Sequence, residues 1–182
     1  MVAHRSIVQV PTYSLVPGAH LSLEERREIL TLCSLAFETN YAPIYATFSD
    51  PVHILARLDE KLVSHALWNT RWLRCGNSPI VRTAYVEAVA TDPPYQRRGF
   101  ATGVMLELQA HILEYELGCL SPAVDGLYER LGWEYWRGPV SVRTKNGLLS
   151  TPYEVMVLRL QRTPALDLDG PLSAEWRPGE LW

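Results

Sequence analysis

Between Val86 and Thr102 the chain reads VEAVATDPPYQRRGFAT: an apolar run, a turn on two prolines, then Gln96, Arg97, Arg98 and Gly99 ahead of a segment with helical periodicity. A strand that ends, turns and feeds a helix presents unpaired backbone N–H groups at the positive end of the helix dipole. Such a place binds anions, and phosphate or pyrophosphate suits it. Gly99 lets a ligand approach the backbone, and Arg97 and Arg98 add positive charge. A nucleotide-binding phosphate loop is excluded for want of GxxxxGK, and a dinucleotide fold for want of GxGxxG.

Other chemistry-bearing residues are scattered. Cys33, Cys75 and Cys119 are far apart and odd in number, which fits reduced core thiols, not a zinc or redox motif. His4, His20, His53, His65 and His111 make no HExxH or similar pair, so no metal is expected. With 17 basic against 20 acidic residues the formal charge is -3, which offers no general attraction to nucleic acid or anionic membrane. No run of eighteen apolar residues and no leader-like apolar region occurs, so the expectation is a cytoplasmic protein that binds neither nucleic acid nor membrane.

The elements that must position this loop are legible from periodicity. Ser6–Val10 is a β-branched run that suits a first strand ended by Pro11. Ser22 followed by Glu25 forms a capping-box pattern, with Ile29, Leu30, Cys33, Ala36 and Phe37 recurring at helical steps to about Glu38. ETNYAPIYATFSDP, which carries Asn40, Tyr41, Tyr45 and Phe48, reads as a loop or broken helix whose rings either cap the core or line a cleft. VHILARL and LVSHALWNTRWLRC, joined at Asp59 to Lys61, and then IVRTAYVEAVATD make a three-strand meander. A long helix is expected over Gly99–Leu117 with Gly118 as its C-cap. A brief strand at CLS, a short helix over AVDGLYERLG, and strands WEYWRGPVSVRT and YEVMVLRL around a turn at Lys145 to Gly147 complete the order. This is one α/β domain over residues 1–182, a mixed sheet flanked by helices. Residues 162–182 are rich in Pro, Asp and Gly, yet Trp176, Leu181 and Trp182 argue for a tail that folds back on the body.

Gln96-x-x-Gly99-x-Ala101, after a strand and opening a long helix, resembles the Q/R-x-x-G-x-G/A signature of the GCN5-related N-acetyltransferases (GNAT). The resemblance implies a mainly antiparallel sheet with a splayed strand pair that holds acetyl-CoA. Its coenzyme residues would be Val89, Ala90 and Thr91 on the strand, then Gln96, Arg97, Arg98, Gly99, Phe100, Ala101 and Thr102. GLYERLGWEYW is similar to the family's segment in which a tyrosine sits near the coenzyme sulfur, which makes Tyr128 the general acid for the departing thiolate. Glu87 lies two residues before Val89, so strand alternation would place both on one face. In the strand holding the thioester, Glu87 would take a proton from the attacking amine, directly or through water.

A narrower resemblance lies in YVEAVATDPPYQRRG, ELGCLS, LYERLGWEYWRGP and the ending EWRPGELW, which look like the aminoglycoside 2'-N-acetyltransferases, antibiotic-resistance enzymes. It covers about residues 28 to 182. It implies an acceptor pocket walled by the tail, with Glu180, Trp182 and its carboxylate on one side and Glu87 and Ser121 on the other. Asn40 and Tyr45 would lie in the loop after the first helix, and Glu154 on a further wall. It also implies a possible homodimer. The chain departs from that pattern where Asn40 replaces an acidic loop and Glu154 alone remains of an acidic cluster, which favours a less charged or more aromatic amine. Acetylation of another small amine or a protein amine, and coenzyme binding without catalysis, are the alternatives.

Overall fold

The computed structural model describes residues 10–182 except Asp125. The strand expected at Ser6–Val10 lies, but for Val10, outside the described residues, and the first strand seen is β1, Thr12–Pro17. Ser22 and Glu25 form the capping box reciprocally at the start of helix α1, Leu23–Ala36. A single turn, α2, Ala42–Tyr45, follows. Strands β2, Val52–Leu58, β3, Lys61–Cys75, and β4, Ile80–Thr91, form the expected meander. Helix α3, Phe100–His111, leads to β5, Leu117–Leu120, then β6, Glu134–Tyr135, β7, Val140–Thr144, β8, Gly147–Ser150, β9, Met156–Arg159, and β10, Leu172–Glu175.

Among the described residues ten strands join one sheet in the order β6-β9-β5-β4-β3-β10-β7-β8, with β1 on β2 and β2 also on β3. The long β3/β4 hairpin is its spine. Along its outer edge β3 takes β2 over its first half and β10 at Arg74 and Cys75. Most pairings are antiparallel; β4 with β5 and β7 with β10 are parallel. One face packs Val104, Met105, Leu108 and Ile112 of the α3 region against Trp68, Ala84 and Val86. The other packs Ile29, Leu32 and Cys33 of α1 against Leu55, Leu67, Ala88 and Ala90. Among the described residues no helix is long and apolar enough to cross a membrane.

Four expectations need correction. The long helix ends at His111, not Leu117, because Arg82 and Glu116 bond backbone to backbone and start the β4/β5 pairing. Gly118 therefore lies in a strand, where a Cβ would come within 3.1 Å of Leu158 and Trp133, and it is not a helix cap. Among the described residues of 123–132, the expected helix is reduced to a 3-10 turn at Glu129–Leu131. The strand expected over 133–144 splits into β6 and β7, since the amides of Arg137 and Gly138 bond Leu168 of the tail instead of a neighbouring strand. The turn at Lys145 to Gly147 thus joins β7 to β8, and β9 follows separately.

The tail is built into the sheet. Arg71 of β3, almost wholly buried, donates to the carbonyls of Glu175 and Leu181 at 2.7 Å each, and its guanidinium lies over the rings of Tyr85 and Trp182. Removing it leaves buried carbonyls without their charged donor. Arg71→Ala is expected to lower unfolding stability by about 3 kcal/mol and to expose the chain beyond β9 to limited proteolysis, as read by denaturant titration and fragment mass.

Candidate active site

Strand β4 is bonded to β5 only from Thr83↔Leu117 to Tyr85↔Cys119, yet it runs on to Thr91 beside β3. Past Tyr85 its β5-facing edge has no strand partner, so the two strands splay. There β4 also carries a bulge: His65 pairs with Ala90 and Leu67 with Glu87, which leaves Ala88 and Val89 opposite Ala66. Ala88 sits in the left-handed region at φ 53. A one-residue bulge reverses every later side chain. Accordingly Glu87 stays with Tyr85, under the tail, while Val89 packs with Val86 on the α3 side. The expectation that Glu87 and Val89 share a face fails for this reason.

The loop after β4 makes a 3-10 turn at Pro93–Tyr95, and the Gln96 amide ties it back to the Thr91 carbonyl at 3.2 Å. Gly99 then precedes α3 with φ 86, no side chain caps the helix, and a Cβ there would meet nothing within 4 Å. Open backbone N–H groups at a helix start of this kind fit a pyrophosphate. Thr91, Gln96, Arg97, Gly99, Phe100, Ala101 and Thr102 line one cavity of about 340 Å³. Arg130, which no motif singled out, lines it too. Arg98 is elsewhere, stacked on Tyr95 and Phe100, and Ala90 is buried on the α1 side.

Beside the free edge of β4 lies a second cavity of about 360 Å³. Glu87, Val89, Ser121, Tyr128, Glu180 and Trp182 all line it, together with the rings of Phe37, Tyr41 and Tyr85. Glu87 is held by two residues through three hydrogen bonds. Arg177 of the tail binds it in a two-point pair at 2.6 and 2.9 Å, and Asn69 donates to Oε2 at 2.6 Å. The Arg177 guanidinium is itself stacked over Tyr85. Burial pushes the Tyr128 phenol up to about 12, so it stays protonated through the neutral range. Tyr85 Oη and Trp182 Nε1, on two of the lining residues, and Oδ1 of Asn69, which bonds Glu87 through its amide nitrogen, are buried with no hydrogen-bond partner among the described residues.

Three expected acceptor residues are not in that lining. Asn40 is exposed and accepts from the amide of Ala42, Tyr45 bonds His53, and Glu154 is exposed while its carbonyl accepts from Ser121. A short turn after α1 explains the first two, since it directs Tyr41 inward to the cavity and Tyr45 toward β2. Tyr41 was one of the rings read as capping the core or lining a cleft, and it does line the cavity, whereas Tyr85, Asn69 and Arg177 were not among the residues picked out. Arg177 stands within EWRPGELW, but its partner lies 90 residues away and only the fold brings them together. Among the described residues no group of three or more His, Cys, Asp or Glu is placed to hold a metal.

A splayed parallel strand pair beside a basic helix start, with a carboxylate and a buried phenol on one cavity, is the architecture of an acyl-transfer enzyme. The model of the acetyltransferase (GNAT) domain matches residues 19–136, and the chain belongs to that family of N-acetyltransferases, which use acetyl-CoA. It is 32% identical, over 192 aligned positions covering 94% of this chain and 92% of the relative, to an aminoglycoside 2'-N-acetyltransferase of Mycolicibacterium fortuitum. In fold it is similar to a GNAT family N-acetyltransferase of Escherichia coli solved in complex with CoA, with TM-score 0.60, 14% identity and coverage of 92% and 91% of the two chains. Eis1 of Mycobacterium abscessus matches with TM-score 0.60 and 20% identity over 71% of this chain, which spans 32% of that longer protein.

The Glu87–Arg177 pair is shielded enough to be tested as a unit. Arg177→Met is expected to lower stability by about 3 kcal/mol, and adding Glu87→Gln should recover part of that loss. A double-mutant cycle by urea unfolding measures the coupling, and strictly additive losses would show that the two groups do not interact.

Proposed function

We propose that this protein transfers the acetyl group of acetyl-CoA to a primary amine on a small hydroxylated molecule, with the 2'-amine of an aminoglycoside as the leading acceptor. The observation that carries this reading is that Glu87 and Tyr128 line one cavity at the unpaired edge of β4. Acetyl-CoA supplies a thioester whose acetyl group moves to the amine, with a thiolate as leaving group.

The chain's own groups supply the rest. The N–H groups from Gly99 to Thr102 and the Arg97 side chain hold pyrophosphate beside Arg130. The Val89 N–H donates to the carbonyl that gains charge. The Tyr128 phenol gives its proton to the departing sulfur. Glu87 offers about four lone-pair positions in principle, of which Arg177 and Asn69 take three, leaving one on Oε1 for the ammonium proton or for a bridging water. The acceptor lies beside the rings of Phe37 and Tyr41, where an ammonium gains cation–π attraction, while Tyr85 and Trp182 already carry guanidinium groups. The Ser121 hydroxyl and the Glu180 carboxylate, which line the cavity, can bond the acceptor's hydroxyls.

The named activity of the Mycolicibacterium relative supports the aminoglycoside, and the resistance role would follow from it. A second reading has its own observation: among the side-chain carboxylates lining the cavity, Glu87 is already neutralised by Arg177 and Glu180 alone stands beside it. An acceptor with fewer charges, such as a simple amino sugar, fits that balance better than a polycation.

A free-thiol assay of CoA release separates the two. Turnover confined to aminoglycosides bearing a 2'-amine supports the first; turnover with simple amino sugars alone supports the second; neither, with CoA bound, refutes the transferase reading. Tyr128→Phe is expected to lower kcat about 100-fold or more while leaving CoA affinity unchanged. Since the phenol is protonated to about pH 12, the wild-type rate should climb as the amine deprotonates and show no alkaline fall from Tyr128 before pH ~11. A descending limb near pH 9 that disappears in Tyr128→Phe would contradict this.

A further inference from the structure

On the α1 side of the sheet, behind the cavity, runs an unbroken line of buried polar groups for which the reaction just described has no use. Tyr45 Oη lies 3.3 Å from His53 Nε2, His53 Nδ1 lies 2.9 Å from His65 Nε2, and His65 Nδ1 lies 2.9 Å from the carbonyl of Ala88. Both histidines are fully buried. The direction of every bond follows from its last member. A carbonyl only accepts, so His65 carries its proton on Nδ1. A neutral imidazole has a single N–H, so His65 Nε2 accepts and His53 must donate from Nδ1. His53 Nε2 then accepts from the Tyr45 hydroxyl.

The surroundings keep both rings neutral. Burial pushes His53 down to about 4, with the Arg26 guanidinium of α1 acting in the same direction. Burial pushes His65 down to about 3, with His53 adding to it. Cys33 of α1, 3.9 Å from His65 Nδ1, is itself held as a neutral thiol by burial, which raises it to about 12. Tyr45 stays a phenol because burial raises it as well.

The bonded carbonyl is that of the bulge residue. Ala88 holds φ 53, a conformation that costs a residue with a side chain about 1 kcal/mol or more. The Ala88–Val89 peptide is trans and planar, so its C=O and N–H point in opposite directions. Fixing the carbonyl on His65 turns the Val89 N–H away from His65. Val89 lines the cavity.

We infer that His65, locked by His53 and Tyr45, is a positioning residue of the transferase: by holding the Ala88 carbonyl it aims the Val89 N–H into the cavity. The inference rests on the reading that this N–H meets the acetyl carbonyl. It makes Tyr45 a structural determinant of rate although it lies outside the cavity lining.

The test uses the full chain with 15N-labelled histidine and backbone. In wild type, both imidazoles should appear neutral with the proton on Nδ1 between pH 6 and 8. Protonation on Nε2 at either ring would overturn the inference. His65→Leu, checked for folding by circular dichroism, should shift the Val89 amide resonance and lower kcat about 10- to 100-fold for every accepted amine, with the amine KM changed by less than about 3-fold. His65→Gln, whose amide NH2 can donate to the Ala88 carbonyl and whose carbonyl oxygen can accept from His53, should restore most of that loss. A folded His65→Leu with kcat within about 2-fold of wild type would overturn the inference while acetyl transfer itself stands. A wild-type protein that transfers no acetyl group would instead overturn the catalytic reading and this inference with it. Should His65→Leu not fold, Tyr45→Phe serves: it removes the donor to His53 Nε2, so the 15N shift of that nitrogen should change while both imidazoles keep their proton on Nδ1, and kcat should fall about 3-fold; an unchanged spectrum and rate would count against the chain of bonds.

Discussion

Strand β4 is bonded along one edge and released on the other, and the rest of the structure follows from that asymmetry. Backbone polar groups normally find partners when buried. Here β3 satisfies one edge from Ile80 to Thr91, while β5 satisfies the other only as far as Tyr85. The remaining edge, with a bulge at Ala88, is backbone left over for a ligand. A short loop with one 3-10 turn carries the chain from the end of β4 to the start of α3, so in the proposed reading the uncapped N–H groups and the free edge of the strand serve one ligand.

The acceptor side is made by sequence from opposite ends of the chain. Loop residues after α1 supply Phe37 and Tyr41, β4 supplies Tyr85 and Glu87, and the tail supplies Glu180 and Trp182. Two arginines hold these pieces in register. Arg71 anchors the tail carbonyls from below, and Arg177 reaches from the tail to Glu87. Both are screened from water, where a charge is tolerated only with full pairing. The tail is therefore a wall of the cavity and a counter-charge for the carboxylate within it. Loss of the tail would leave Glu87 with Asn69 alone.

Local signals in the sequence were read well where they were self-contained. Ser22 with Glu25, the β2/β3 hairpin around Asp59 to Lys61, and Gln96 to Ala101 at the head of α3 each specify their own geometry within a few residues. The GNAT architecture followed from them. Readings that depended on distant partners did less well. Ile112 and Tyr115 keep helical spacing, yet they reach the same apolar cluster after the helix has ended, because Glu116 bonds Arg82. Alternation placed Glu87 and Val89 together, and a bulge, which leaves no mark in residue type, parted them. In the site, Glu87, Ser121, Tyr128, Glu180 and Trp182 do converge on one cavity. Asn40, Tyr45 and Glu154 do not, since the single turn of α2 and the connection from β8 to β9 decide where those side chains point.

The central claim is that coenzyme and acceptor meet where β4 parts from β5. Its most direct test is titration of 15N-labelled protein with CoA, followed by backbone amide shifts. The account predicts that the amides of Val89 and of Gly99 to Thr102 move together and saturate with one affinity, while those along α1 from Glu24 to Leu35 stay still. Perturbation centred on α1 and the groove it forms with Lys61, or none at β4 and the start of α3, would contradict it.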